Sequence, residues 1–154
     1  MKPYFNNSER HAKLLYHAGL WMGTPWSMNA SARGERGGVS CHNLPRAILM
    51  ECGALPKDFP VIAGRPKDDF HRGGHHSQIE EFLAARPEFI EAQDELMPGD
   101  LIGLRIYRTT DHLALVVNDC ELIHVLAHTH TCLAPFRIPP WAQRITKVWR
   151  PIES

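Results

Sequence analysis

The sequence predicts an α+β domain in which helices come first and an antiparallel sheet follows. Three observations lead to this expectation. Apolar residues recur at helical spacing in the first half, Pro and Gly fill a long connection over 56–76, and the segments after Pro98 are short and β-prone. Because the chain has 154 residues, of which 44% are apolar, we expect one domain, 1–154, around one core.

Three helices are expected before the sheet. Ser77 with Glu80 forms a capping box that opens the last and shortest of them. The second helix places a cysteine at or beside its N-terminus. The expected helices run from Ser8 to near Gly23, from Cys41 or Asn43 to Glu51, and from Ser77 over Leu83.

About five strands are expected in the second half, each a short apolar or β-branched run bounded by turn residues. Because the helices precede the strands in the chain, we expect the helices to pack on the sheet that the strands form. The runs are Leu101 to Tyr107, His112 to Val117, Leu122 to Leu126, Thr131 to Phe136 and Thr146 to Trp149.

Two histidines, His112 and His124, are twelve residues apart around a polar Asn118-Asp119 break, which is typical of a β-hairpin. Side chains alternate across a strand, and twelve is an even number. If the loop is Val117–Asp119, the two histidines lie opposite each other on one face, with Cβ atoms about 5 Å apart. The spacing therefore predicts two imidazoles on one patch of sheet.

Cys41 follows a Gly-rich loop and opens a helix, which is a position that favours a thiolate. With His112 as base and His124 as the group that orients the base, it would complete a Cys-His-His triad. The other cysteines lack Cys-x-x-Cys spacing, so we expect neither a zinc ribbon nor a disulfide scaffold. Cys52 and Cys132 are expected to be buried apolar residues, and Cys120 an exposed thiol in a turn.

Composition excludes several function classes. Seventeen basic and seventeen acidic residues cancel, and no basic cluster stands out, so a nucleic-acid partner is not expected. The N-terminal residues lack the apolar core of a secretory signal, and no run is long enough to cross a bilayer. We therefore expect a chain that is not exported by the Sec route. The sequence does not indicate an oligomeric state.

Four segments, taken in order, resemble the NlpC-type cysteine peptidases, which are papain-like enzymes. Gly23–Trp26 looks like the family's Gly-x-Pro-Tyr, and Gly37–Leu44 looks like its Asp-Cys-Ser-Gly-Leu nucleophile segment. Met97–Leu101 is similar to its Pro-Gly-Asp-Leu strand entry, and His112–His124 to its histidine hairpin. The resemblance covers about residues 14–136 and implies an NlpC-type fold.

The resemblance also implies an activity. Cys41 would be the nucleophile, His112 the general base and His124 the orienting residue, with the Cys41 backbone N–H as an oxyanion-hole donor. Hydrolysis of an amide bond would proceed through an acyl-enzyme thioester, without a cofactor. The implied substrate is the stem peptide of peptidoglycan, and the setting would be cytoplasmic or phage-associated unless export follows another route.

The flanks of the nucleophile depart from the family pattern. Ser40 stands at its Asp, His42 at its Ser, Asn43 at its Gly, and Trp26 at its Tyr. In the family these positions help to bind substrate, so Trp26, Ser40 and His42 are the expected substrate-binding residues. An indole N–H donates but has no oxygen to accept, so any hydroxyl role at Trp26 is lost. The pattern predicts intact chemistry with altered recognition.

Other interpretations stay open. The chain is rich in histidine, and His124, His128 and His130 share strand parity if the strand stays regular, so a zinc or copper site can be imagined there. A turn or strand end over Ala127–Thr131 would separate these side chains. His71, His75 and His76 from the long loop would add ligands, or His75 and His76 would line the rim of the cleft. A non-catalytic module that binds a metal or a partner is one alternative function. An acyltransferase that uses the same thioester chemistry is another. Trp141 and Trp149 are expected to close the core or cover a sheet edge.

Overall fold

The computed structural model describes residues 1–28, 30–62, 77–107 and 109–154. Within these ranges there are three α-helices, α1 (Ser8–Trp21), α2 (Asn43–Glu51) and α3 (Gln78–Ala84), and a short 3-10 helix, Ala142–Arg144. The strands in the same ranges are β1 (Ser31–Ala32), β2 (Gly38–Val39), β3 (Phe89–Glu91), β4 (Leu101–Leu104), β5 (His112–Val116), β6 (Glu121–His124), β7 (Cys132–Pro135) and β8 (Ile145–Pro151). The α+β prediction is confirmed.

The helix N-termini follow from side chains that accept backbone N–H groups. Asn7, rather than Ser8, caps α1 by accepting from the Arg10 backbone N–H at 2.9 Å. Ser77 caps α3 by accepting from the Glu80 backbone N–H at 3.2 Å, as predicted. No helix in the described ranges is long and apolar enough to cross a membrane.

One antiparallel sheet of six strands has the order β3-β8-β4-β5-β6-β7. Five of these strands match the predicted runs, with shifted ends. The sixth, β3, pairs Phe89 with Pro151 and Glu91 with Trp149. The sequence did not predict β3, because three residues carry too little periodicity to stand out. A separate two-stranded pair, β1 with β2, precedes α2.

The sheet has an apolar layer on each face. On the helix-packed face, Leu113 and Leu115 of β5 contact the cluster that contains Leu14 of α1 and Ile48 of α2. The alternate residues of the same strands form a smaller second cluster on the other face, where Trp141 packs against it. This second cluster is Ile102, Leu104, Ala114, Val116, Leu122, Ala134 and Phe136. By strand parity, His112 and His124 belong to this second face.

The β5–β6 hairpin turns one residue later than predicted. Val116 pairs with Leu122, and the Val117 N–H donates to the Glu121 carbonyl at 3.0 Å, so the turn is 118–120. The side-chain oxygen of Asn118 accepts the backbone N–H of Glu121 at 2.8 Å, which stabilises this turn. Continuing the register sets His124 opposite residue 114, so the prediction that the two histidines lie directly opposite was wrong. Since the pairing shifts by two, both remain on one face.

An ion pair ties the start of β4 to β8. Arg150 donates to both oxygens of Asp100 at 2.8 Å each and to Asp94 at 2.8 Å. The Asp100 carboxylate also accepts the Met97 backbone N–H at 2.9 Å, and hydrogen bonding to Asp100 raises the pKa of Arg150. Asp100 of the Met97–Leu101 motif therefore links the start of β4 to β8.

Candidate active site

Cys41 lies in the turn that leads into α2. Ser40 fixes this turn, because its hydroxyl accepts the Asn43 backbone N–H at 3.2 Å and its carbonyl accepts the Leu44 N–H at 3.0 Å. Cys41 is partly exposed within the turn, and His42 occupies the position before the first helical residue. The helix begins at Asn43, the later of the two predicted starts.

Asn43 ties the Cys41 turn to a distant part of the chain. Its side-chain amide donates to the Ser40 hydroxyl at 3.1 Å and to the Ile62 carbonyl at 3.2 Å. Its side-chain oxygen accepts the Ile62 backbone N–H at 3.3 Å. The sequence marked Asn43 only as a departure from the Gly of the family pattern, because a contact across nineteen residues leaves no local signal.

The thiol of Cys41 is protonated at neutral pH. Burial raises the pKa of the Cys41 thiol to about 12, and the negative charge of Asp111 also raises it. Hydrogen bonds from the backbone N–H groups of Leu113, Cys41 and His42 act in the opposite direction. The sulfur therefore lies against Leu113 of β5. The N–H groups of Leu113, Cys41 and His42 would stabilise a thiolate once it forms.

The two hairpin histidines form the predicted pair. The Nε2 atom of His112 is 3.0 Å from the Nδ1 atom of His124, and both residues are buried. Burial lowers the pKa of His112 well below its usual value, and positive charge on His124 or His42 lowers it further. Burial lowers the pKa of His124 to about 4. Both rings are consequently neutral at physiological pH.

One tautomer of this pair suits proton transfer. A neutral imidazole carries one N–H, and only one ring of the pair can donate across the shared hydrogen bond. If His112 donates from Nε2 to His124, its Nδ1 atom is left as an acceptor. The arrangement then offers a buried base beside the strand residue, Leu113, whose N–H reaches the Cys41 thiol.

Ser40 and His42 are both 4% exposed. The Ser40 hydroxyl accepts the Asn43 backbone N–H, as described above. His42 lies near enough to His112 for a positive charge on His42 to lower the pKa of His112. Substrate binding by these two residues stays a prediction. What the structure adds is that both belong to the framework of the Cys41 turn.

Trp26 lies where the segment before Cys41 meets the segment after β6. Its backbone N–H donates to the Thr129 carbonyl at 2.9 Å, and it bridges to Val39 of β2. Its ring is partly exposed and packs against the ring of His128, with centroids 4.8 Å apart. Its role in substrate binding stays a prediction.

The histidines after β6 do not continue its alternation. The strand ends at His124, and the Thr129 N–H donates to the Leu126 carbonyl, which closes a turn in which His128 has a φ of 67°. Because the strand does not stay regular beyond His124, the shared parity does not extend to His128 and His130, and the expected turn after Ala127 is confirmed. Among the described residues no three His, Cys, Asp or Glu side chains form a metal-binding group. His71, His75 and His76 lie outside the described residues.

The remaining cysteines correct one expectation. Cys52 is buried and Cys120 is exposed, as predicted. Cys132, expected to be buried, is exposed, because β7 is the edge strand of the sheet. Cys132 pairs with His124 across β6 and β7.

Trp141 contacts one member of the histidine pair, His124. Its ring meets the ring of His124 at an interplanar angle of 84°, with centroids 4.6 Å apart. The sequence predicted Trp141 only as a residue that closes the core or an edge. A loop after β7 carries it to the site, and no local pattern predicts where such a loop will fold.

Solved structures similar to this chain include NlpC/P60 family proteins. An NLP/P60 family protein from Staphylococcus aureus, described as similar to a lipoprotein, is 15% identical with a TM-score of 0.59, over 99% of this chain and 44% of that one. An NlpC/P60 family protein from Bacillus cereus is 17% identical with a TM-score of 0.60, over 93% and 40%. The peptidoglycan hydrolase RipB from Mycobacterium tuberculosis is 18% identical with a TM-score of 0.56, over 99% and 69%.

No family model and no curated protein matches the sequence. The chain spans less than half the length of the first two of these structures. At such low identity, the likeness extends to the arrangement of helices and strands and no further. The chain therefore has the NlpC/P60 fold, as its four motifs predicted.

Proposed function

We propose that this protein is a cysteine hydrolase that cleaves an amide bond, with Cys41 as nucleophile, His112 as base and His124 as the residue that orients the base. One observation carries the proposal. The Cys41 thiol lies against the N–H of Leu113, next in the chain to His112, whose Nε2 atom is 3.0 Å from Nδ1 of His124. An NlpC/P60 fold supports it.

Acylation begins from neutral groups. The Nδ1 atom of His112 accepts the proton of the Cys41 thiol as the sulfur attacks the carbonyl carbon of the amide. The carbonyl oxygen becomes an oxyanion, for which the backbone N–H of Cys41 is the proposed donor. The carbon–nitrogen bond then breaks, and His112 returns its proton to the leaving amine. The products of this half are the free amine and a thioester on Cys41.

Deacylation repeats the cycle with water as the attacking group. His112 accepts a proton from water as the water oxygen attacks the thioester carbon. The carbon–sulfur bond breaks, the acid is released, and Cys41 regains its proton. Throughout both halves, the neutral His124 accepts from Nε2 of His112 and so keeps Nδ1 directed to the reaction.

We propose the stem peptide of peptidoglycan as the substrate. RipB, one of the structural neighbours, is a peptidoglycan hydrolase, which supports this class of substrate. Because Ser40, His42 and Asn43 depart from the family pattern, we propose the class of stem peptides and no single cleavage position. A cytoplasmic or phage-associated setting stays a prediction.

The first test measures the nucleophile itself. The rate of Cys41 alkylation by iodoacetamide is followed against pH in the wild type and in His112→Ala, with Cys52, Cys120 and Cys132 replaced by Ala in both. We expect faster alkylation near pH 7 in the wild type and a loss of this excess in His112→Ala. Equal alkylation rates in the two proteins across the pH range would overturn the proposal.

The second test measures the reaction. Purified peptidoglycan and synthetic stem peptides are incubated with the wild type and with Cys41→Ser, and new amines and carboxylates are identified by mass spectrometry. We expect cleavage by the wild type alone. Persistence of cleavage in a folded Cys41→Ser protein would assign the reaction to another residue.

A further inference from the structure

The ring of Trp141 covers His124 on the side of the sheet away from the helices. The two rings meet edge to face at 4.6 Å, and His124 is 2% exposed while Trp141 itself is partly exposed. Trp141 also packs against the second cluster, which anchors the indole over the end of β6. The tryptophan therefore covers the ring of His124.

The state of His124 decides the tautomer of His112. A neutral His124 with a bare Nδ1 accepts the Nε2–H of His112, which leaves Nδ1 of His112 free to take a proton. A protonated His124 has an N–H at both ring positions and cannot accept. His112 would then have to present a bare Nε2 to His124 and carry its hydrogen on Nδ1, the atom to which the proposed function assigns the Cys41 proton. Base catalysis thus depends on keeping His124 neutral.

We propose that Trp141 is a positioning residue, which acts through His124 by excluding water from its ring and so holds His112 in the tautomer that accepts the Cys41 proton. This inference rests on the proposed function. It assigns to Trp141 a part in the chemistry beyond the filling of a core, although it touches no reacting atom.

Burial is the cause that lowers the pKa of His124, so a cover that excludes water acts on it directly. Among the described residues, the titratable groups on the strands beside His124 are His112 on β5 and Cys132, its partner on β7. Arg144, on the 3-10 helix that follows Trp141, donates to the carbonyls of Arg105 and Ile106. None of these is an anion that would hold His124 in its protonated form at neutral pH.

The experiment compares Trp141→Ala and Trp141→Phe with the wild type. The protonation of His124 is followed by NMR of the labelled imidazole, and the alkylation rate of Cys41 is measured from pH 4 to 9. If the pKa of His124 rises from about 4 to about 6.5 in Trp141→Ala, the alkylation rate at pH 5 falls about thirtyfold, while at pH 8 it changes less than about twofold. Trp141→Phe, which keeps an aromatic cover, is expected to retain most of the wild-type profile.

Ile138→Ala serves as the matched control, because Ile138 is an exposed apolar residue of the same loop. It is expected to leave both titrations unchanged. A folded Trp141→Ala protein in which His124 titrates as in the wild type would overturn the inference. If Trp141→Ala does not fold, the wild type still decides, since a His124 that titrates near about 6.5 beneath an intact Trp141 contradicts the proposal equally.

The two proposals fail separately. Absence of peptidoglycan cleavage by the wild type counts against the proposed function, whereas the NMR titration of His124 needs no substrate. If the wild type cleaves peptidoglycan but the alkylation rate of Trp141→Ala at acid pH equals that of the wild type, the proposed hydrolase function stands and the role of Trp141 is rejected.

Discussion

Two polar pairs are buried in the same sheet, and they differ in charge and in the number of hydrogen bonds around them. Arg150 binds both oxygens of Asp100 at 2.8 Å each and reaches Asp94 as well. His112 and His124 share one hydrogen bond of 3.0 Å. Hydrogen bonding raises the pKa of Arg150, whereas burial lowers the pKa of both histidines.

The difference shows what a buried group needs in order to stay charged. Several charge-assisted hydrogen bonds replace the water that Asp100 and Arg150 lose on folding, so the charged forms persist. The histidines lack such partners, and desolvation leaves them neutral. In the first pair, both carboxylate oxygens of Asp100 accept hydrogen bonds from Arg150, and the pair joins two strands. The second keeps ring nitrogens that can exchange a proton, which is what the proposed reaction requires.

Replacing Arg150 by Met is expected to have the largest effect on stability. The change leaves the Asp100 carboxylate buried without its cation, which costs about 3–5 kcal/mol. Urea unfolding of the variant and the wild type measures this difference. Cleavage per folded molecule should stay close to that of the wild type.

Arg86→Met is the matched control for that variant. Arg86 donates to both oxygens of Glu88, but this pair is partly exposed, so its loss costs about 1 kcal/mol or less. A smaller loss of stability for Arg150→Met than for Arg86→Met would remove the distinction between a saturated buried pair and a surface pair.

The histidine pair predicts a loss of stability in acid. The pKa of His124 is about 4 in the folded protein and about 6.5 in the unfolded chain, so between these values the unfolded chain binds more protons. The stability contributed by the neutral ring is present above pH 6.5 and is lost as pH falls toward 4, by up to about 1.4 kcal/mol per pH unit. Urea unfolding at pH 7, 6, 5 and 4 measures the slope.

His124→Asn provides the comparison for that slope, because its amide does not titrate. A slope in His124→Asn equal to that of the wild type would show that His124 does not carry the acid sensitivity. The remaining slope of the variant reports on His112 and the other titrating groups.

His124→Asn is also expected to slow the reaction. An Asn oxygen can accept from Nε2 of His112 but from a different position, so we expect cleavage to fall about tenfold to a hundredfold at pH 8. Steady-state cleavage of a stem peptide gives the ratio. A wild-type rate in this variant would show that His112 does not need an orienting partner, and the pair would then be structural.

The sequence by itself determined the features that depend on neighbouring residues and on periodicity. The Ser77 cap, the placement of Cys41 at the start of a helix, and the even spacing of His112 and His124 all follow from such local rules. The even spacing was robust because a register shift of two leaves both rings on the same face.

Only the tertiary structure decided the contacts between distant segments. The strand β3 forms because β8 offers an edge, Asn43 meets Ile62, and the loop after β7 brings Trp141 to His124. Each of these depends on how loops close and on how side chains pack, and neither leaves a periodic pattern in the sequence. The sequence determined which groups can react, whereas packing decided their desolvation and hence their protonation states.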